Sequence, residues 1–249
     1  MIATVDVGNT NIKIGLYDGL NRVAFTRFLT VQEDYSELID NFMQANKIGQ
    51  LDDIMISCVV PKLKKYICNA LKPYCTNEPI SVNCHSDLGI GFEIPEPETI
   101  GGDILVMCSY AYHLLKKECI IVSFGTATVF CHVNEKGNFS HCILAPGYES
   151  FSKLLSKTTA QLPDIHYSVP ETVLVNNTED AINVGVVTGY IGLCTHLLEK
   201  MKAEIANPDI YVLGIGGVGK LFVNEIKSIS EYSPDFVSDG LAYLYTRCK

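Results

Sequence analysis

Residues 2–17 read IATVDVGNTNIKIGLY, and the fold turns on how that stretch is parsed. Residues 2–7 are an apolar, partly β-branched run broken by Asp6, and residues 11–17 are a second run. Gly8, Asn9 and Thr10 lie between them, which predicts strand, tight turn, strand. A carboxylate near the end of a buried strand is costly unless its charge has a use. Gly8 lets backbone approach a ligand, Asn9 and Thr10 carry donors, and Lys13 adds a cation in the second strand. Together they suit a metal-bound polyphosphate: close N–H groups, a positive charge, and an acid for Mg²⁺. An ordinary hairpin whose aspartate only supports the turn fits the same residues, and on this stretch alone both readings stay open.

The pattern recurs. Residues 118–133 read ECIIVSFGTATVFCHV, again an apolar strand, a Gly-Thr turn and an apolar strand. Gly125, Thr126, Ala127 and Thr128 stand 117 residues after Gly8, Asn9, Thr10 and Asn11. A repeat of that length suggests two related halves, residues 1–116 and 117–249, with the two hairpins facing one central cleft. Nucleotide kinases with the duplicated, ribonuclease H-like fold of actin are built this way. The expected class is therefore α/β with two similar domains.

Composition narrows the function. The chain has 249 residues, 47% of them apolar, enough for one large core or two smaller ones. There is no run of eighteen apolar residues and no signal-peptide pattern at the start, so a cytoplasmic protein with no membrane partner is expected. The ten cysteines read as reduced thiols, and with no C-x-x-C spacing neither a zinc site nor a redox pair is signalled. The six histidines show no metal spacing either and read as structural. A net charge of −9 argues against a nucleic-acid partner, whose phosphates demand clustered Lys and Arg.

Along the chain, a third strand is expected over 22–29, a helix over 35–44, a strand over 53–60 and a helix over 61–71. A short strand over 79–83 and a Pro-rich loop over 94–99 lead to Gly101, Gly102, Asp103 and a helix to 115. Asp103 reads either as an acid stabilising that helix start or as a general base at a substrate hydroxyl. Beyond the second hairpin come a strand over 138–145, a helix over 150–162 and a long apolar helix over 181–205. Gly185, Gly189 and Gly192 stud the long helix, which implies close packing against another backbone, in this chain or in a second subunit. A strand over 209–214 and helices over 220–229 and 238–247 close the chain. Residues 214–220 fit G-x-x-x-x-G-K, but Leu221 lacks the hydroxyl that a P-loop needs and too little chain follows. A turn at Gly216 and Gly217 meeting an adenine or ribose through backbone is the better reading.

Taken in order, D-V-G-N-T-N-I-K at 6–13, S-C-V-V-P at 57–61, G-G-D at 101–103 and F-G-T-A-T at 124–128 resemble the type III pantothenate kinases. A-P-G at 145–147, T-A-Q-L-P at 159–163, N-T-x-x-A-I at 177–182 and P-D-F-V-S-D-G-L at 234–241 continue the resemblance to the end. It implies ATP-dependent phosphorylation of the primary hydroxyl of pantothenate, the first step towards coenzyme A. Asp6 would handle Mg²⁺; Asn9, Thr10 and Lys13 would hold phosphates; Asp103 would be the base. Thr126 and the turn around Gly125 would line a second phosphate loop, and Gly101 and Gly102 the acceptor pocket. The family pattern also implies a homodimer, with Thr178 reaching in from the second subunit.

The chain departs from the pattern at three polar positions. Ser123 stands where the family has an acid tied to a monovalent cation, which puts a K⁺ or NH₄⁺ requirement in doubt. Ile104 replaces an arginine that contacts the acceptor, and Ile94 replaces a tyrosine. His141 and Cys142 replace a Gly-Gly pair ahead of Pro146. Losing two polar contacts should weaken recognition of a carboxylated substrate. A kinase for another small hydroxyl compound, or a non-catalytic nucleotide-binding relative, are the alternative readings.

Overall fold

A computed structural model describes residues 1–31, 34–158 and 165–248. They form two compact units, Met1–Lys116 with Gly137–Phe139 and Phe236–Lys249, and Lys117–Lys136 with Ser140–Asp235.

In the first unit, β1 (Ile2–Val7), β2 (Asn11–Asp18) and β3 (Asn21–Leu29) make an antiparallel meander. After α1 (Tyr35–Ala45), β4 (Asp53–Cys58) pairs parallel with β1; after α2 (Pro61–Leu71), β5 (Ile80–Ser81) pairs parallel with β4. The sheet order is therefore β3-β2-β1-β4-β5. Period-two alternation assigns its faces. Ala3, Val5 and Val7 of β1, Ile12, Ile14 and Leu16 of β2 and Ile54 and Ile56 of β4 pack with Ile39, Met43 and Ile67 of α1 and α2. Ile2, Tyr17 and Met55 take the other face, with Leu105 and Val106 of α3 (Gly102–Leu115) and Leu241 and Leu244 of α6 (Phe236–Arg247). Polar ties bind α6 to the sheet: Tyr17 donates to Asp239, Arg22 pairs with Asp239 at 3.9 Å, and Tyr245 donates to Asp53. The two-residue β6 (Gly91–Phe92) pairs with Asn138 and Phe139, the first residues of β9 (Asn138–Pro146).

The second unit repeats the plan. β7 (Cys119–Phe124) and β8 (Ala127–Val133) form its hairpin, β9 lies beside β8, and β10 (Tyr211–Ile215) and β11 (Glu231–Ser233) extend the other side in parallel. The order β9-β8-β7-β10-β11 is again third, second, first, fourth, fifth. This shared order is the ribonuclease H-like plan expected from the repeated hairpins. Between the hairpin and β10 come α4 (Tyr148–Thr158) and the 28-residue α5 (Thr178–Ile205). Ile182, Val186, Tyr190, Cys194, Leu198 and Met201 recur every three or four residues along α5 and bury one stripe in the core. The helix is long and apolar enough to cross a membrane by composition, yet this stripe is core packing.

Several expectations change. Residues 220–229 are not an α-helix but two 3₁₀ turns, Gly217–Leu221 and Val223–Glu225. Phe222, Val223 and Ile226 are buried at helical spacing, but Phe222 at φ −138° interrupts any continuous ladder. The strands β6 and β11 escape the sequence reading because two or three residues carry no alternation. α5 begins at Thr178 rather than 181, capped by Asn177, whose side chain accepts from the Asp180 N–H at 2.9 Å. Among the described residues nothing lies within 4 Å of a Cβ added at Gly185 or Gly192, so close packing against that part of the chain does not explain them. Residues 159–162 of the expected helix, and the 159–163 motif, lie outside the described residues.

Gly216 does meet a structural demand. Its φ is +93°, and an added Cβ would fall 3.0 Å from the Phe124 carbonyl carbon. Gly216→Ala should therefore cost about 1–3 kcal/mol of unfolding free energy from strain and overlap. Urea denaturation monitored by circular dichroism will show the midpoint moving down with an unchanged slope.

Candidate active site

The face assignment of β1 decides where its aspartate points. With Ala3, Val5 and Val7 under α1 and α2, Asp6 projects to the α3 and α6 face. Only 8% of the residue is exposed, and its carboxylate lies 3.5 Å from Lys13 Nζ, the register partner on β2. Burial pushes the Asp6 pKa above the ordinary carboxylate range, and the Lys13 charge pulls part of that back.

Ser57 of β4 sits beside Asp6 in the parallel register and shares its face. Its hydroxyl is buried and has no hydrogen-bond partner among the described residues. The start of α3 presses onto it: a Cβ at Gly102 would come 3.2 Å from Ser57 Oγ and from the Val82 carbonyl oxygen. Gly101 caps α3 without a side chain, and a Cβ there would lie 2.6 Å from Asp103 Oδ1. The two glycines thus let α3 begin against the sheet and let the Asp103 carboxyl fold back. Asp103 Oδ1 accepts from the Ile104 N–H at 2.9 Å. Burial raises the Asp103 pKa first and the Asp6 charge raises it further, while the Ile104 N–H and Lys13 offset part of the rise. Two acids and an unpartnered hydroxyl therefore meet on one face of the first sheet. Such a set suits a hydrated divalent cation or a hydroxyl that must lose a proton.

The first turn is braced from β3. Thr30 Oγ1 donates to the Gly8 carbonyl at 2.7 Å, and the Thr30 N–H donates to the Thr10 carbonyl at 2.9 Å. Gly8 N–H closes the turn on the Asn11 carbonyl at 3.0 Å, leaving Asn9 exposed at the tip. In the second unit, Gly125 N–H bonds to the Ala127 carbonyl at 3.2 Å, and Thr126 is exposed. Gly147 N–H donates to the Thr126 carbonyl, and Gly147 packs on that turn with no room for a side chain. Thr128 is fully buried, its hydroxyl bonded to Tyr190 and to the Pro146 carbonyl. Ser123 holds the position of Asp6 in this second copy, flanked in register by Ile215 and Val129. The Gly216 carbonyl accepts from the Tyr232 hydroxyl, and Gly217 opens the following 3₁₀ turn. Thr178 is exposed at the α5 start, on a hollow of about 460 Å³ lined also by Val175, Asn177 and Ile182.

Within the first unit, then, Asp6, Lys13, Gly101, Gly102 and Asp103 come together; Ile104 follows Asp103 and is half-buried, as is Ile94. Ser57 and Thr30 belong to this neighbourhood; the sequence reading includes Ser57 only as the first residue of the 57–61 motif, with no role assigned, and passes over Thr30. Only strand register puts Ser57 beside Asp6, and nothing in the residues around Thr30 marks it.

Two sheets of one strand order, each opening on a hairpin with a tight turn, define the duplicated ribonuclease H-like fold of the actin-like kinases. Solved structures agree on that fold. A Campylobacter jejuni protein described as a Baf family transcriptional activator matches with TM-score 0.62 and 17% identity, over 99% of this chain and 98% of that one. A Sinorhizobium meliloti protein described as a 2-dehydro-3-deoxygalactonokinase matches with TM-score 0.55 and 16% identity, over 99% and 96%. Residues 2–200 match the family model for type III pantothenate kinase. A type III pantothenate kinase of Agathobacter rectalis is 33% identical over 99% of this chain and 97% of its own length. The chain belongs to the type III pantothenate kinase family.

The raised Asp103 pKa carries a sign that can be measured. A carboxyl held above its unfolded value stabilises the fold fully below the unfolded pKa, about 3.9, and loses that contribution as pH rises through the folded value. At neutral pH the ionised Asp103 is therefore a cost. In metal-free buffer, Asp103→Asn should raise Tm at pH 7, with the gain shrinking as pH falls towards 4. Differential scanning calorimetry across that range checks it.

Proposed function

We propose that this chain transfers the γ-phosphoryl group of ATP to the primary hydroxyl of pantothenate, the first step of coenzyme A biosynthesis. The observation that carries this reading is the pairing of family membership with a buried Asp6 beside Asp103 on one sheet face. In the first unit, Asp6 would hold a divalent cation, Mg²⁺ in this reading. A nearly buried carboxylate at a strand end with an unpartnered hydroxyl beside it fits such an ion. The cation would supply neutralisation of phosphate charge.

Asn9, Thr10 and Lys13 would contact phosphate oxygens. Asp103 would accept the hydroxyl proton as the acceptor oxygen bonds to phosphorus and the bond to ADP breaks. Its raised pKa makes it a better base once ionised. The reaction asks mainly for placement and charge neutralisation. In the second unit, the Gly125–Thr126–Ala127 turn would take phosphate and the Gly216–Gly217 turn the nucleoside. Thr128, its hydroxyl committed inside the core, would support that turn rather than touch ligand.

A homodimer is part of the proposal. The outward Gly185, Gly189 and Gly192 of α5 leave a smooth strip on the helix that begins at Thr178, which suits a second backbone. The bacterial relatives support a cytoplasmic enzyme. With Ser123 in place of an acid, turnover should not need K⁺ or NH₄⁺. Ile94 and Ile104 favour a second reading, a different small hydroxyl acceptor, because neither can bind a carboxylate.

Purified protein with ATP, Mg²⁺ and pantothenate should form ADP and 4'-phosphopantothenate equally with and without K⁺. ADP formation only with other hydroxyl compounds would move the assignment to the second reading. Asp103→Asn should lower kcat by about 10²–10⁴-fold with the fold intact. Ile104→Arg should lower the KM for pantothenate about tenfold or more, the worth of one charged hydrogen bond, with little change in kcat.

A further inference from the structure

The segment between β5 and α3 brings two adjacent side chains together with a third, thirteen residues further along. Cys84 Sγ, a ring nitrogen of His85 and a carboxylate oxygen of Glu98 are all within 4.8 Å of one another. None of these three side chains has a hydrogen-bond or ion-pair partner among the described residues. Cys84 is half-buried against the α3 and α6 core, while His85 and Glu98 face solvent.

The backbone presents them from two short, fixed turns. Asn83 Oδ1 accepts from the His85 N–H at 2.9 Å, and the Asn83 N–H donates to Ser86 Oγ at 3.1 Å. Glu98 sits in the single 3₁₀ turn Pro97–Thr99, closed by Thr99 N–H and Oγ1 on the Glu96 carbonyl. Pro95 and Pro97 restrict the chain on either side of Glu96, so little entropy remains to be lost when a ligand arrives.

We propose that Cys84, His85 and Glu98 form a Zn²⁺ site with three protein ligands and an open fourth position for water. Bonds of about 2.0–2.3 Å in tetrahedral geometry put ligand atoms about 3.3–3.8 Å apart, which small χ rotations reach from the present spacing. A thiolate and an imidazole select zinc over Mg²⁺ or Ca²⁺, which prefer oxygen throughout. Binding converts the Cys84 thiol to thiolate and releases its proton to solvent. The ion would tie the 83–86 turn to the segment that runs through Ile100 into Gly101, Gly102 and Asp103. The site depends on no assumption about the acceptor or the nucleotide.

Thermal shift is a poor readout here, because an unfolded chain with ten cysteines also binds zinc. Co²⁺ added to the native, reduced protein is the better probe. One equivalent should give a thiolate-to-cobalt charge-transfer band and tetrahedral ligand-field bands, both abolished by Zn²⁺. Cys84→Ser should remove the charge-transfer band, while Cys142→Ser and Cys248→Ser, at the exposed thiols, should leave it. Competition with a chromophoric chelator should find Zn²⁺ affinity lowered about tenfold or more in His85→Gln and in Glu98→Gln. Amide exchange over residues 83–100 should slow with Zn²⁺ in the wild type and not in Cys84→Ser. No cobalt spectrum in the wild type, a charge-transfer band that survives Cys84→Ser, or unchanged affinity in both other variants would overturn the proposal.

Discussion

Two carboxylates on one face of a five-stranded sheet are the constraint that the first unit is built around. Asp6 is nearly buried at the end of β1, and its negative charge is one reason that Asp103 holds its proton more tightly. Water would relieve both, and the packing excludes most of it from Asp6 and part of it from Asp103. Lys13, 3.5 Å from Asp6, supplies partial compensation from the neighbouring strand. Like charges brought together in low dielectric are expensive, so their persistence marks a site that works on charge rather than one that only stabilises the fold.

Everything nearby serves that placement. Alternation along β1, β2 and β4 gives the aliphatic residues to the α1 and α2 face and sends Asp6, Lys13 and Ser57 to the other. Gly101 and Gly102 let α3 start against the β4 end, so that Asp103 arrives in the first helical turn. The Ser57 hydroxyl, buried without a partner, fits a site awaiting a ligand better than a finished core. The second unit repeats the sheet but not the acid: Ser123 stands between Ile215 and Val129 where the first copy has Asp6 between Ser57 and Lys13. The duplication has kept the scaffold in both units and the buried charge in one.

How much of this is legible in the residues depends on how local each signal is. Both hairpins can be read because long apolar runs flank a short turn, α1 because its apolar spacing is regular, α2 because Pro61 opens it, and α3 because an apolar run follows Gly101, Gly102 and Asp103. Residues 220–229 mislead because Phe222, Val223 and Ile226 bury at helical spacing while the backbone makes only separate 3₁₀ turns. The short strands β6 and β11 exist by virtue of their neighbours' hydrogen bonds and have no pattern of their own. Within the site, Asp6 and Asp103 stand out as acids in apolar or glycine-rich surroundings. Ser57 and Thr30 do not, since their importance comes from strand register and from a bond across the meander. Cys84, His85 and Glu98 follow the same rule: adjacent and thirteen residues apart, they match no metal spacing, and loop closure alone brings them together.

The site depends on Asp103 feeling both burial and the charge of Asp6. Carbon-13 NMR titration of the aspartate carboxyls in metal-free protein, wild type against Asp6→Asn, tests this directly. The Asp103 carboxyl should titrate above the ordinary value of about 3.9 in the wild type and move down when Asp6 loses its charge. An Asp103 that titrates near that value and is indifferent to Asp6→Asn would contradict it.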